Sequence, residues 1–316
     1  MPPYAYFHKR YIPLEEARIN VLTHAMHYGT ACFEGIRGQW DVAKKCFYLF
    51  RVAEQYERLL NGGRILKMKI PYTIKELCEI TKQLVEKSGF REDVYIRPIA
   101  FKSAERVGVR LHDVEDDLAI VIITLPSYLD TDKGVRCCIS SWRRHNDAMI
   151  PTRGKICGSY VTSALAKSEA IERGFDEAIL LTDWGNVSEG SGENLFAVFE
   201  GKVVTPPSSD SILLGITRDT VIKILRNELG IETIERSINR SDLYIAQEIF
   251  LTGTAAHVTP VIQVDEYKIG NGKIGKITAK LQKLYFDVIQ GKNGKYLDWC
   301  TTVSPVGFKS AVKKAK

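Results

Sequence analysis

The longest nearly unbroken apolar run in the chain, LAIVIITL at 118–125, is about eight residues, and that length constrains everything around it. A membrane-spanning helix needs roughly 20 apolar residues. A run this short suits a buried strand. The chain must therefore build its core from many short strands covered by amphipathic helices. At 316 residues with 45% hydrophobic content it carries enough apolar surface for that, and the size suits two α/β lobes better than one.

Periodicity fills in the elements. PYTIKELCEITKQLVEKSG (71–89) predicts a helix: Thr73 and Glu76 have capping-box spacing, Ile74, Leu77, Thr81, Leu84 and Val85 share a face, and Gly89 ends it. VAEQYERLLNG (52–62) predicts a shorter helix with Val52, Tyr56, Leu59 and Leu60 inward and Arg58 off that stripe. Strands are expected at 94–101 and 118–125. Loop formers in PSYLDTDKG place an inter-domain connection at 126–134, between an N-terminal lobe, 1–125, and a C-terminal lobe, 135–316. In the second lobe a helix over 159–173 stops at Gly174, and strands alternate with glycine-rich turns through 178–206. ITRDTVIKILRNELG (216–230) predicts a helix with Val221, Ile224, Leu225 and Leu229 as its stripe and Gly230 as its end.

The charge balance excludes some partners. Much of the net +6 excess sits in the last residues, Lys309, Lys313, Lys314 and Lys316, as a solvated tail, and Arg143-Arg144-His145 is not interleaved with aromatics. Nucleic acid is not an expected partner, nor is a membrane. Seven cysteines with no CxxC pair fit reduced thiols, and no metal site is expected. With no secretory signal in MPPYAYFHKRYIP, a cytoplasmic location is expected.

Some stretches invite chemistry. Helix starts expected at Thr217 and near Thr254 present unpaired backbone N–H groups that suit a phosphate, although Ser, Thr and Gly also simply cap helices. GNGKIGKIT (270–278) approaches phosphate-loop spacing through Gly270, Gly275 and Lys276, but Ile277 stands where a magnesium-binding Ser or Thr belongs. EGSGENLF lacks the third glycine of a dinucleotide fingerprint and runs into a strand. Lys155 lies in IPTRGKICGSY, in a tight loop that leads into a helix. It reads either as a surface loop residue or as a partly desolvated amine able to form a Schiff base.

Seven blocks in order, HYGTACFEGIR (27–37), YERL (56–59), YIRP (95–98), IPTRGKICGSY (150–160), VSEGSGENLF (187–196), LGITRD (214–219) and TGTAAHVTP (252–260), closely resemble the branched-chain amino-acid aminotransferases, pyridoxal-phosphate enzymes of fold type IV. The likeness runs over roughly residues 20–290. It implies a two-lobed α/β subunit with α and β mixed, pyridoxal 5'-phosphate between the lobes, and a homodimer or higher homo-oligomer. The implied reaction is a ping-pong transfer of the amino group of L-leucine, L-isoleucine or L-valine to 2-oxoglutarate. Alternatives are a D-amino-acid or (R)-amine aminotransferase of the same fold and, from another class, an NTP-binding protein using 270–278.

The resemblance also implies roles. Lys155 would be the Schiff-base lysine and proton carrier, Glu189 the partner of the pyridine nitrogen, and Tyr160 the donor to the phenolic oxygen. Arg58, Ile216, Thr217 and Thr254 would hold the phosphate, with Glu193 standing behind the residues that touch the cofactor. Tyr95 and the turn of Thr254, Ala255 and Ala256 would receive the substrate α-carboxylate. Tyr28, Phe33, Gly35 and Tyr128 would wall the side-chain pocket. Arg97, with Tyr28 and Tyr128, would meet the γ-carboxylate of glutamate, and Arg37 is either a helper there or a structural ion-pair partner. His257 departs from the family's usual acidic residue after the TAA turn, and Cys157 is another uncommon neighbour.

Overall fold

The structure is a computed structural model that describes residues 4–125 and 129–304. The chain divides into two compact units, residues 1–125 with 287–316, and residues 126–286.

The first unit opens with a hairpin, β1 (Tyr4–Phe7) and β2 (Arg10–Pro13), followed by α1 (His24–Tyr28), β3 (Ala31–Phe33), β4 (Ile36–Asp41) and β5 (Cys46–Phe50). Two helices, α2 (Val52–Ile65) and α3 (Ile74–Ser88), precede the long strands β6 (Val94–Lys102) and β7 (Asp116–Thr124). α3 begins as its sequence dictates: Thr73 Oγ1 accepts from Glu76 N–H, and the Glu76 carboxylate accepts from Thr73 N–H. Gly89 ends it in the left-handed region. Leu77, Leu84 and Val85 are fully buried, each worth about 1.5–3 kcal/mol of transfer free energy. α2 continues past the expected 52–62, because Gly62 and Gly63 are themselves buried on its inner face, while Leu60 is only half-buried. A buried hydrogen bond between Tyr56 and Thr81 joins the two helices.

The second unit begins with β8 (Val135–Arg143), whose loop leads into α4 (Tyr160–Glu172) and then β9 (Glu177–Leu181), parallel to β8. β10 (Val187–Gly190), β11 (Asn194–Phe199) and β12 (Lys202–Thr205) follow, then α5 (Ile216–Leu229), and β13 (Thr233–Glu235) parallel to β12. Next come α6 (Arg240–Tyr244), the hairpin of β14 (Glu248–Gly253) and β15 (His257–Val264), and the short β16 (Tyr267–Lys268). α7 (Lys276–Ile289) carries the chain out of this unit, and β17 (Cys300–Val303) pairs with β5. Parallel pairs need a crossover, and α4 and α5 are those crossovers.

Among the described residues the first unit holds an eight-stranded sheet ordered β17-β5-β4-β6-β7-β1-β2, with β3 also on β6. The second holds nine strands ordered β10-β9-β8-β15-β14-β11-β12-β13, with β16 on β15.

Two expectations are corrected here. Thr254 does not start a helix: residues 254–256 are the turn of the β14–β15 hairpin, closed by the Gly253–His257 pair, with His257 at φ 57°. The flanking runs EIFLTG and HVTPVIQV pair as antiparallel strands, and a short turn between such runs makes a hairpin. The 270–278 stretch cannot cradle a nucleotide as drawn. Glu248 occupies the start of α7, accepting from Ile277 N–H at 3.0 Å and from Thr278 N–H at 2.8 Å. A carboxylate already sits where a phosphate would bind.

Candidate active site

In the second unit the site grows from strand ends. Glu189 lies in β10, the edge strand, and its carboxylate is buried. Arg144 follows the last residue of β8 and turns its guanidinium onto Glu189, Nη2 to Oε1 at 2.9 Å. Asn194, the first residue of β11, donates Nδ2 to Glu189 Oε2 at 2.9 Å and to Leu213 O at 2.8 Å. Leu213 N–H donates to the same Oε2 at 3.1 Å. Three donors, one of them cationic, converge on one carboxylate, which suits an ionised acceptor. Beside Arg144, burial and then the guanidinium push the His145 imidazole down to about 4, and neither of its ring nitrogens has a partner among the described residues. It is a neutral ring at neutral pH.

The same network reaches a helix N-terminus. Two residues beyond Leu213, Gly215 is the N-cap of α5 and supplies no side-chain cap. Its lack of a side chain is required, because a β-carbon there would collide with Asn194 Oδ1. Ile216 and the buried Thr217 open the helix. Thr252, cross-strand from Asn194, is buried with a hydroxyl that has no partner among the described residues. The turn of Thr254, Ala255 and Ala256 follows it, Ala256 buried and Thr259 Oγ1 donating to Ala256 O at 2.6 Å. Lys155 is half-buried in the loop that leaves β8 after Arg144, with Nζ 5.5 Å from the ring centroid of Tyr160, the first residue of α4. His257 packs at the edge of this turn against Phe286 and Tyr285, with ring centroids 5.2 and 6.0 Å away.

In the first unit, β6 alternation puts Tyr95 and Arg97 on one face. Arg97 Nη2 donates to Tyr95 Oη at 2.9 Å, and the guanidinium lies 4.4 Å from the Phe33 ring centroid. Arg97 Nε is buried with no hydrogen-bond partner among the described residues. Gly35 belongs to this cluster for a steric reason, since a β-carbon there would collide with Tyr95 Oη. Arg58, on α2, meets the buried Glu34 through a two-pronged pair, Nε to Oε1 at 2.6 Å and Nη2 to Oε2 at 2.7 Å. Arg37 donates to Leu125 O at 2.8 Å, tying β4 to the end of β7. Tyr28 Oη accepts from Gly108 N–H at 2.9 Å. Tyr128 lies outside the described residues.

Three partners escaped the sequence reading: Arg144, Asn194 and Glu34. Arg144 lies 45 positions before Glu189, and no motif spacing links them. Asn194 and Glu34 both sat in quoted blocks, GEN and FEG, where their polarity inside apolar runs was the available signal.

A sequence profile of the family described as amino-transferase class IV matches residues 31–264. The chain is 50% identical over 300 residues to a probable branched-chain-amino-acid aminotransferase of Aquifex aeolicus, covering 95% of this chain and 96% of that one. It is 37% identical over 305 residues to the branched-chain-amino-acid aminotransferase of Escherichia coli K12, covering 95% and 97%. Among solved structures, the branched-chain aminotransferase of Thermoproteus uzoniensis with norvaline superposes with a TM-score of 0.91 at 41% identity, covering 96% and 99%. The branched-chain amino acid aminotransferase of Thermobaculum terrenum in its PLP-bound holo-form also gives 0.91, at 37% identity, covering 95% and 98%.

Proposed function

Because the chain belongs to the branched-chain-amino-acid aminotransferases of amino-transferase class IV, we propose that it moves the amino group of L-leucine, L-isoleucine or L-valine to 2-oxoglutarate, using pyridoxal 5'-phosphate in a ping-pong cycle. The observation that carries this reading is the buried Glu189 carboxylate held by Arg144, Asn194 and Leu213 N–H. An electron-accepting pyridine ring needs such an anion at its nitrogen. The rest of the second unit fits the same group. It offers a half-buried amine beside a tyrosine, a helix N-terminus with a glycine N-cap, and an unpartnered buried hydroxyl at Thr252.

When bound, the cofactor supplies an aldehyde that joins amino groups and a ring that accepts electrons. Lys155 would hold that group through Nζ and would move the proton at substrate Cα. Glu189 would keep the ring nitrogen protonated, and Tyr160 would donate to the phenolic oxygen. Ile216 and Thr217 at the α5 N-terminus and Thr254 would hold the phosphate, a role the resemblance also gives Arg58. The turn of Thr254, Ala255 and Ala256 would orient the α-carboxylate, a role the resemblance also gives Tyr95.

Arg97 carries the dual specificity. Lying over the Phe33 ring, its guanidinium would offer an apolar face to a leucine side chain and an edge donor to the γ-carboxylate of glutamate. Arg97→Ala is expected to slow the glutamate half-reaction about 100-fold, the size of a lost charge-assisted contact, and the leucine half-reaction less than tenfold. Single-turnover rates for each amino acid measure this, and equal losses would refute the role. The test of the whole reading is the visible spectrum of the holoenzyme. Loss of its lysine-linked band with L-leucine, restored by 2-oxoglutarate, is expected. A response only to D-alanine or (R)-1-phenylethylamine would move the chain to the other substrate class.

A second copy of the chain is the proposed partner. Support comes from exposed apolar side chains on two segments of the first unit: Ile19, Val21, Leu22 and Met26, with Val107 and Val109. The Thr23–Glu105 bridge and the Tyr28–Gly108 bond join the segments. Such a joined apolar patch marks an interface. Met26→Asp with Val107→Asp is expected to lower the sedimenting mass to that of one chain; an unchanged assembly would rule this surface out. No helix among the described residues is long and apolar enough to cross a membrane. We assign the cytoplasm, a reading supported by seven cysteines of which none forms a disulfide among the described residues.

A further inference from the structure

Glu193 is a buried acid to which the proposed chemistry gives no task. It follows Gly192 in the turn between β10 and β11, and its side chain lies over two glycines at once. At Gly190, the residue after Glu189, a β-carbon would sit 2.7 Å from Glu193 Oε2. At Gly253, the residue before the 254–256 turn, it would sit 3.4 Å from Glu193 Cγ. The backbone joins in, as Gly190 N–H donates to Glu193 O at 2.7 Å. One side chain therefore spaces the strand end that carries Glu189 from the turn that carries Thr254. Among the described residues its carboxyl takes one hydrogen bond, from Gly192 N–H at 3.1 Å.

Its electrostatic surroundings are acidic. Glu177 on β9 is fully buried and already takes Lys167 Nζ of α4 at 2.7 Å, so the nearby cation is committed. Glu189 on β10 is committed to Arg144. Cys137 on β8 is a buried thiol held well above its ordinary range by burial and then by Glu177. His257, closing the hairpin opposite Gly253, packs on aromatic rings. A third negative charge, at 193, would face these two carboxylates in a buried setting.

We propose that Glu193 is a positioning residue of the cofactor site, acting as a neutral carboxylic acid that spaces the Glu189 strand end from the 253–256 turn, and that its ionisation loosens the grip on the cofactor. The inference rests on the assignment of Glu189 and Thr254 to that site. Burial first, and then Glu177, push the Glu193 carboxyl up to about 8, against Gly192 N–H and Lys167, with Glu189 adding to the rise. A folded-state value above the ordinary 4.5 means that the neutral form stabilises the fold fully below about pH 4.5. That contribution fades as pH rises through about 8.

The test is the dissociation constant of pyridoxal 5'-phosphate from the holoenzyme, measured by equilibrium ultrafiltration at about pH 7 and about pH 9. If only the neutral acid keeps the site competent, the constant rises about tenfold across that interval in the parent protein. In Glu193→Gln, which cannot ionise, the rise is expected to stay within about twofold. An equal rise in both proteins overturns the inference. Infrared difference spectra of the parent keep the idea testable even where the variant does not fold. Loss of a protonated-carboxyl stretch over the same interval supports it, and no loss overturns it. Glu189→Ala and Thr254→Ala separate the two layers. Weaker cofactor binding in both, with identical pH profiles for the parent and Glu193→Gln, sinks the Glu193 role alone, whereas unchanged binding in both sinks the site assignment and the inference together.

Discussion

Lys155→Ala is expected to lower the rate of amino transfer by at least about 1,000-fold, within the range that a positioned proton carrier supplies. The lysine's two proposed tasks share one atom, Nζ: to hold the cofactor and to shuttle the substrate proton. Alanine removes both, while the other groups proposed to bind the cofactor, the α5 N-terminus, Thr254 and Glu189, remain. The variant should therefore retain cofactor without the visible band of the lysine-linked form. Its fold should barely change. Lys155 is half-buried in a loop rather than packed in the core, and substitutions at such positions usually cost within about 0.5 kcal/mol. Single-turnover absorbance with L-leucine and a thermal melt test this together. Normal turnover would remove Lys155 from the chemistry.

Glu189→Ala is expected to have the second-largest effect, on stability as well as rate. The carboxylate is the shared acceptor for Arg144, Asn194 and Leu213 N–H. Asn194 keeps Leu213 O, but Leu213 N–H loses an acceptor and Arg144 becomes a buried cation without that anion. Breaking a buried pair from one side costs about 3–5 kcal/mol, enough to lower the thermal midpoint clearly in a chain this size. Glu189→Gln preserves the shape and one acceptor, so it should melt closer to the parent while still slowing the chemical step about 100-fold through loss of the anion. Adding Arg144→Ala to Glu189→Ala should recover part of the lost stability, because the stranded charge goes too. A Glu189→Ala protein with the parent's melting point and rates would contradict both the network and the assignment.

The chain's own order already held a good part of this. Thr73, Glu76 and Gly89 mark the ends of α3, Gly174 follows α4, and Gly230 closes α5, because caps and left-handed residues act within a turn of themselves. The strands β6 and β7 were legible from β-branched runs of the right length, although β7 buries only alternate residues, and the family was legible from seven blocks in order. These are local signals, carried by neighbours along the chain.

The errors and omissions are all non-local. A threonine after glycine looks alike at a helix start and in a hairpin turn; the pairing of β14 with β15 makes Thr254 the latter. The glycine-rich 270–278 stretch loses any anion site only because Glu248, about 30 residues upstream, caps α7. The return of β17 to β5 and the fork of Arg58 on Glu34 likewise join distant segments.

By itself the sequence determined most element types, most helix ends and the family. Only the tertiary structure decided which charged groups share a buried space: Arg144 with Glu189, and Glu193 against Gly190 and Gly253 beside Glu177. Periodicity and capping are set by atoms a few residues apart. The ionisation and orientation of a buried group are set by whatever the fold brings within hydrogen-bond reach, and no spacing along the chain encodes that.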